Sequence, residues 1–222
     1  MQKKKTAIIL GASGLTGSHL LQELLKDDRY EKIKVFTRRS LYITHSKLEE
    51  CQVDLFRLTE EKENFTADEV FCCIGSTKKK TPNEELYEKV DVGIPSAAAK
   101  LSKENGIATF IVISALGADR NSRFFYNQMK GKMENQVLQQ KIKHTYILRP
   151  SLISGKRKEK RTFEFLWKQI KKVANLFMMG SLKKFRSISA ENIAKAMIVL
   201  ANAPQDERII ESHEINKIGS KT

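Results

Sequence analysis

The sequence predicts an α/β protein, a doubly wound parallel sheet with helices on both faces and a small helical cap toward the C-terminus. Three observations carry this. Short β-rich apolar runs alternate with segments whose leucines and alanines recur at helical spacing, the pattern of βαβ units. The first run ends in a glycine-rich turn that opens a helix. No internal repeat or low-complexity linker breaks the alternation, so residues 1–222 read as a single domain, long enough to bury a core without staples.

The elements follow in order. Residues 6–10 form a first strand that stops at Gly11. Residues 19–25 carry leucines at 20, 21, 24 and 25, so a helix follows. Residues 33–36 and 49–53 read as the second and third strands. Residues 69–74 are a strand of the fully buried type. Residues 91–105 read as one helix stopped by Gly106. Residues 109–114 are a strand, 127–140 a helix, and 145–148 a strand ended by Pro150. Residues 162–179 give an amphipathic helix and 191–201 the last clear one.

Composition narrows the class. Hydrophobic residues are 41% and charged residues 30%, which describes a globular chain rather than a disordered one. Three cysteines exclude a disulfide scaffold. Cys72 and Cys73 are adjacent, so on a strand they face opposite ways, and with no histidine cluster beside them a metal site is not expected. No run approaches the ~20 apolar residues of a membrane span. The basic start and apolar run of residues 1–10 are cut short by glycine, with no cleavage site after them, and a cytoplasmic protein is expected.

The net charge is +14, and residues 141–186 carry +12 of it. Two readings stand. The bland one makes residues 151–186 a basic cap on the substrate side of the sheet. The sharper one makes the 162–179 helix a surface for a protein partner or an anionic membrane. No helix-turn-helix, zinc finger or RNA-binding sheet motif is visible, which leaves nucleic acid a minor option.

Three sites carry chemistry. Gly11-Ala-Ser13-Gly14-Leu15-Thr16-Gly17 has the spacing GxxGxxG between strand and helix. Glycines there permit a tight turn, a backbone close to a pyrophosphate, and close packing of helix on strand. The helix N-terminus offers free N–H groups to phosphate, and the Ser13 and Thr16 hydroxyls add donors. This is the opening of a Rossmann-type dinucleotide site. Second, strand two ends in Arg38-Arg39, where an NAD-selective domain carries an acid. A guanidinium suits a 2′-phosphate and cannot accept from a 2′-hydroxyl, so NADP(H) is expected over NAD(H). Third, Tyr126 and Lys130 lie at i and i+4, on one helix face. A nearby ammonium favours the phenolate, which lets tyrosine exchange a proton with a carbonyl or alcohol during hydride transfer. Tyr30 and Lys34 have the same spacing but run into strand two, away from the nicotinamide. Ser114, at the end of the preceding strand, is placed to donate to a substrate oxygen.

Together these motifs resemble the short-chain dehydrogenase/reductase superfamily, and most closely its atypical, Tat-interacting-protein-like branch. The resemblance runs from residue 7 to about residue 200. It rests on the glycine turn, Thr37-Arg38-Arg39, Phe71-Cys-Cys-Ile-Gly-Ser-Thr77, Ser114 with Gly117-Ala-Asp119, Tyr126 through Lys130-Gly131, and Arg149-Pro150. It implies an NADPH-bound fold in which Ser13, Gly14, Leu15 and Thr16 contact the pyrophosphate and Arg38 and Arg39 the 2′-phosphate. Ile74 and Gly75 would pass under the adenosine ribose and diphosphate. Tyr126 and Lys130 would sit at the nicotinamide, with Ile153 and Arg161 as further contacts. Ala115 stands where relatives often have a second serine, and Asp91 where many members have a helix asparagine. Two functions follow: an NADPH-dependent reductase of a small carbonyl substrate, or an NADPH-holding regulator that acts through a protein partner.

Overall fold

A computed structural model describes residues 3–154 and 187–221. The expected 162–179 helix, Arg161 and nearly all of the proposed 151–186 cap lie outside the described residues. The remainder is the predicted doubly wound sheet. Strands β1 (Lys5–Leu10), β2 (Tyr30–Thr37), β3 (Leu48–Gln52), β4 (Glu69–Cys72), β5 (Thr109–Ile113), β6 (His144–Arg149) and β9 (Ile209–Glu211) are ordered β3-β2-β1-β4-β5-β6-β9. Every pairing is parallel. A small second sheet joins β7 (Ile153–Ser154) to β8 (Ile188–Ser189). The helices are α1 (Leu15–Lys26), α2 (Glu84–Glu88), α3 (Ile94–Glu104), α4 (Phe125–Gln139), α5 (Ala190–Asn202) and α6 (Ser212–Gly219).

The strands read as continuous apolar runs because both faces of the sheet are covered. Alternate residues divide between two cores. Ala7 and Ile9 of β1, Phe71 of β4 and Ile111 of β5 meet Leu20, Leu21 and Leu24 of α1 and Ile193 and Met197 of α5. Ile8, Leu10, Val70, Cys72, Phe110 and Val112 meet Ala98 and Leu101 of α3 and Met133 and Val137 of α4. Cys72 belongs to the second core and Cys73, one residue past the end of β4, packs against the first, so the two face opposite ways.

The structure departs from the sequence reading in three places. The helix read as 91–105 is present but starts earlier, at Glu84, and is not uniformly α: a π turn, Lys89–Gly93, runs directly from α2 into α3. Pro95 lies in the first turn of α3 and has no N–H for the carbonyl four residues back, which is that of Asp91. Its ring also crowds that carbonyl, and the widened turn relieves the crowding. The strand read as 69–74 ends at Cys72, freeing Ile74 and Gly75 to form a loop. The tail adds β9 and α6, which propensity alone did not mark.

The polar floor of the sheet, at its amino edge, is tied across the chain. Lys5 Nζ donates to Asn202 Oδ1 (3.0 Å) and pairs with buried Glu69 (3.4 Å), and Asn202 Nδ2 donates to the Tyr30 hydroxyl (2.8 Å).

Candidate functional site

All the candidate residues that the structure describes gather at the carboxyl edge of the sheet. The strand order reverses there between β1 and β4, which opens the crevice where ligands of such sheets bind. The glycine turn follows β1. Arg38 and Arg39 follow β2, Ile74 and Gly75 follow β4, and Ser114 follows β5. Ile153 lies in β7, just past β6.

The glycine turn is built for close approach. Gly11 has φ +84°, and a Cβ on it would lie 2.8 Å from the Cys73 carbonyl oxygen. A Cβ on Gly17 would lie 2.2 Å from the Gly11 carbonyl oxygen, so α1 can start this close to the turn only with glycine there. Gly14 is the N-cap of α1, and no side chain caps the first turn. Its open N–H groups and the positive end of the helix dipole fit a diphosphate. Ser13 is exposed and Thr16 buried.

Register fixes the arginines beside this turn. Leu10 pairs with Phe36, so the end of β2 lies alongside Gly11. The Thr37 hydroxyl donates to the Arg39 carbonyl (2.9 Å) and folds the chain after the strand, and both arginines are exposed.

On the other side of the crevice, Tyr126, Lys130 and Glu134 lie along one stripe of α4, four residues apart. Tyr126 is 43% exposed and, with Lys78, Tyr87, Phe124 and Phe125, lines an open recess of about 280 Å³. Lys130 is buried beneath the β4–α2 loop. A Cβ on Gly75 would touch its Nζ at 3.5 Å. Lys130 Nζ lies 2.9 Å from Asp91 Oδ1, with side chains 4% and 0% exposed. The contact is a buried ion pair. Asp91 Oδ2 accepts from the Ser76 N–H (2.7 Å). Burial pulls the Lys130 pKa down, but the Asp91 carboxylate and then Tyr126 outweigh it, so the ammonium is held above the ordinary lysine value.

Ser114 sits differently from its expected role. Its hydroxyl donates to Glu134 Oε1 at 2.5 Å, both residues being buried. Arg149 clamps the same carboxylate with Nε (2.9 Å to Oε1) and Nη2 (2.6 Å to Oε2) and reaches Glu211 with Nη1 (3.4 Å). The one hydroxyl hydrogen of Ser114 is committed to Glu134, so the geometry does not offer it to a substrate oxygen. Ile153 is half-buried against the first core and pairs with Ile188.

Glu134 and the partnership of Asp91 with Lys130 were missed from sequence. The signal for Glu134 was present: a carboxylate among Met129, Met133 and Val137 on a buried helix face requires a cation, and Arg149 was already singled out.

Comparison with known proteins agrees with this geometry. A family model described as NAD(P)H-binding matches residues 11–204. The chain belongs to that NAD(P)H-binding family. Among its relatives, FMP52 of Meyerozyma guilliermondii is 32% identical over 223 residues, covering 95% of this chain and 94% of that protein. FMP52 of Debaryomyces hansenii is 30% identical over 203 residues, covering 90% and 88%. The HTATIP2 protein of Rattus norvegicus is 33% identical over 168 residues, covering 74% and 69%, in keeping with the Tat-interacting-protein-like resemblance. Among solved structures, the Bordetella bronchiseptica enzyme WbmH in complex with NAD+ superposes with a TM-score of 0.70 at 13% identity, covering 94% of this chain and 75% of that one. A UDP-N-acetylglucosamine 4-epimerase from Methanobrevibacter ruminantium gives 0.70 at 20%, covering 94% and 76%. These likenesses show the fold.

The comparisons correct one expectation. The FMP52 relatives are named as mitochondrial proteins, which overturns the cytoplasmic reading. That reading rested on the lack of an apolar span and a cleavage site. Among the described residues no helix is long and apolar enough to cross a membrane, but this bears on spanning and does not identify a compartment.

Proposed function

We propose that this protein is an NADPH-dependent reductase of a small carbonyl compound. The observation that carries the reading is the pairing of exposed Tyr126 with buried, charged Lys130, across the crevice from a glycine turn and two arginines. The turn fits a dinucleotide because its glycines clear the space a Cβ would fill and α1 begins uncapped. Residues 13–17 would hold the diphosphate, Arg38 and Arg39 the 2′-phosphate, and Ile74 and Gly75 the adenosine side. The preference for NADPH over NADH rests on the two guanidinium groups.

Bound NADPH supplies a hydride to the carbonyl carbon. The chain's residues do the rest. The open recess offers aromatic walls to an apolar carbonyl compound and brings its oxygen to Tyr126. The Tyr126 hydroxyl donates its proton to that oxygen as the alcohol forms. Lys130 steadies the phenolate left behind and would hold the nicotinamide ribose. Ser114 and Glu134 keep α4 in register with β5 and take no proton from the substrate.

A panel of aldehydes, ketones and quinones followed by NADPH absorbance provides the assay. Tyr126→Phe removes only the hydroxyl, and turnover should fall about 10²–10⁴-fold with NADPH affinity nearly unchanged. A substrate turned over at full rate by Tyr126→Phe would refute the mechanism. The regulator reading draws on Phe124, 75% exposed beside the site. It becomes the better one if no compound in the panel is reduced and NADPH instead alters affinity for a protein partner.

A further inference from the structure

We infer that Asp91 is a positioning residue that keeps buried Lys130 charged and aimed at the cofactor edge, so that NADPH binding stays level with pH where a buried lysine would otherwise lose its proton. This deepens the reading of Lys130 as a cofactor contact and rests on it.

The geometry isolates the pair. Lys130 is buried, its side chain 4% exposed, and burial pulls a lysine pKa down. The groups that face it are Asp91 from the π turn, Tyr126 from its own helix and Cys72 from β4, while Tyr87 of α2 faces Asp91. The Cys72 thiol is pushed up to about 12 by burial, and burial raises the Tyr87 phenol as well, so both are neutral near physiological pH. Among these groups Asp91 brings the one carboxylate. Its place is set by sequence: the π turn forced by Pro95 turns Asp91 inward, and the Ser76 N–H holds its second oxygen. The loop that gives this N–H also carries Gly75, which lies over Lys130. Asp91 therefore couples the charge on Lys130 to the shape of the loop proposed to pass beneath the cofactor.

Asp91→Asn tests this because the amide fills the same volume and can still accept from Ser76. NADPH affinity is measured by calorimetry from pH 7 to 9, above the second pKa of a phosphate, about 6. Wild type should change less than about twofold. Asp91→Asn should weaken by about tenfold or more as pH rises, because the buried ammonium now deprotonates within that window. In Asp91→Asn with Lys130→Gln the slope should vanish. A flat Asp91→Asn profile, or a slope surviving in the double variant, overturns the proposal. A second measurement needs neither ligand nor variant folding: in wild type with ¹³Cε-labelled lysine, NMR should show Lys130 still charged at pH 9, and titration below that pH also overturns it. If wild type binds no NADPH at all, the cofactor reading fails, while the same NMR titration of Asp91→Asn, in which Lys130 should lose its charge below pH 9, still decides the role of Asp91.

Discussion

Ser114→Ala separates a structural serine from a catalytic one. The substitution removes a buried 2.5 Å hydrogen bond to a carboxylate. Hydrogen bonds to charged groups are worth about 1.5–3 kcal/mol. Glu134 Oε1 keeps Arg149 Nε at 2.9 Å, so no acceptor is orphaned and the low end applies, about 1.5 kcal/mol. For a chain of this size that is a drop of roughly 3–6 °C in melting temperature. Glu134→Ala strips Arg149 and Ser114 of their shared partner. Breaking a buried pair costs about 3–5 kcal/mol, and the partial exposure of Arg149 again favours the low end, so the drop is roughly 6–12 °C. Scanning calorimetry of the two variants and their double should return a coupling of about 1.5 kcal/mol. Turnover by Ser114→Ala below its melting point should stay within about threefold of wild type, because an already committed hydroxyl contributes little of the usual acid–base factor. If Ser114→Ala melts with wild type and loses a hundredfold in turnover, the serine serves the substrate and the reasoning fails.

Other outcomes follow from the same geometry. NADPH should bind at least tenfold tighter than NADH, a difference of about 1.4 kcal/mol, and Arg38→Ala with Arg39→Ala should erase the preference in calorimetry. Gly17→Ala places a Cβ 2.2 Å from the Gly11 carbonyl oxygen, so α1 must move. It should abolish measurable NADPH binding while circular dichroism still reports a folded chain. Burial pushes the Cys72 thiol up to about 12, so at pH 8 only about one molecule in 10⁴ carries the thiolate. Mass spectrometry after iodoacetamide should find Cys72 unmodified in native protein and modified after denaturation.

How legible this molecule was depended on how local each determinant is. The strands showed in sequence because burial on both faces leaves no polar alternation to confuse them, as in Phe110, Ile111 and Val112. The glycine turn showed because its constraint is a backbone matter within seven residues. Strand order did not show, since periodicity carries no pairing partner. β9 was invisible because its Ile209-Ile210 core is short and flanked by charge, and only the edge of β6 makes it a strand. The Asp91–Lys130 pair joins residues 39 apart in sequence, and the widened turn that carries Asp91, just before Pro95, is not marked by apolar spacing. The role given to Ser114 followed from its position after β5, whereas its hydrogen bond is decided by a residue on the next helix.

The packing of α1 against α5 has a consequence for how the chain is made. Leu20, Leu21 and Leu24 are covered by Ile193, Met197 and Leu200, on a helix that begins about 165 residues after α1 ends. Lys5 closes onto Asn202 across 197 residues. At about 5–20 residues per second, the greasy side of the first helix waits roughly 10–30 s on the ribosome for its cover. During synthesis the first βαβ unit is therefore a sticky half-sandwich. A message truncated before residue 190 should therefore yield an aggregate rather than a smaller domain, which sedimentation of the truncated product would check.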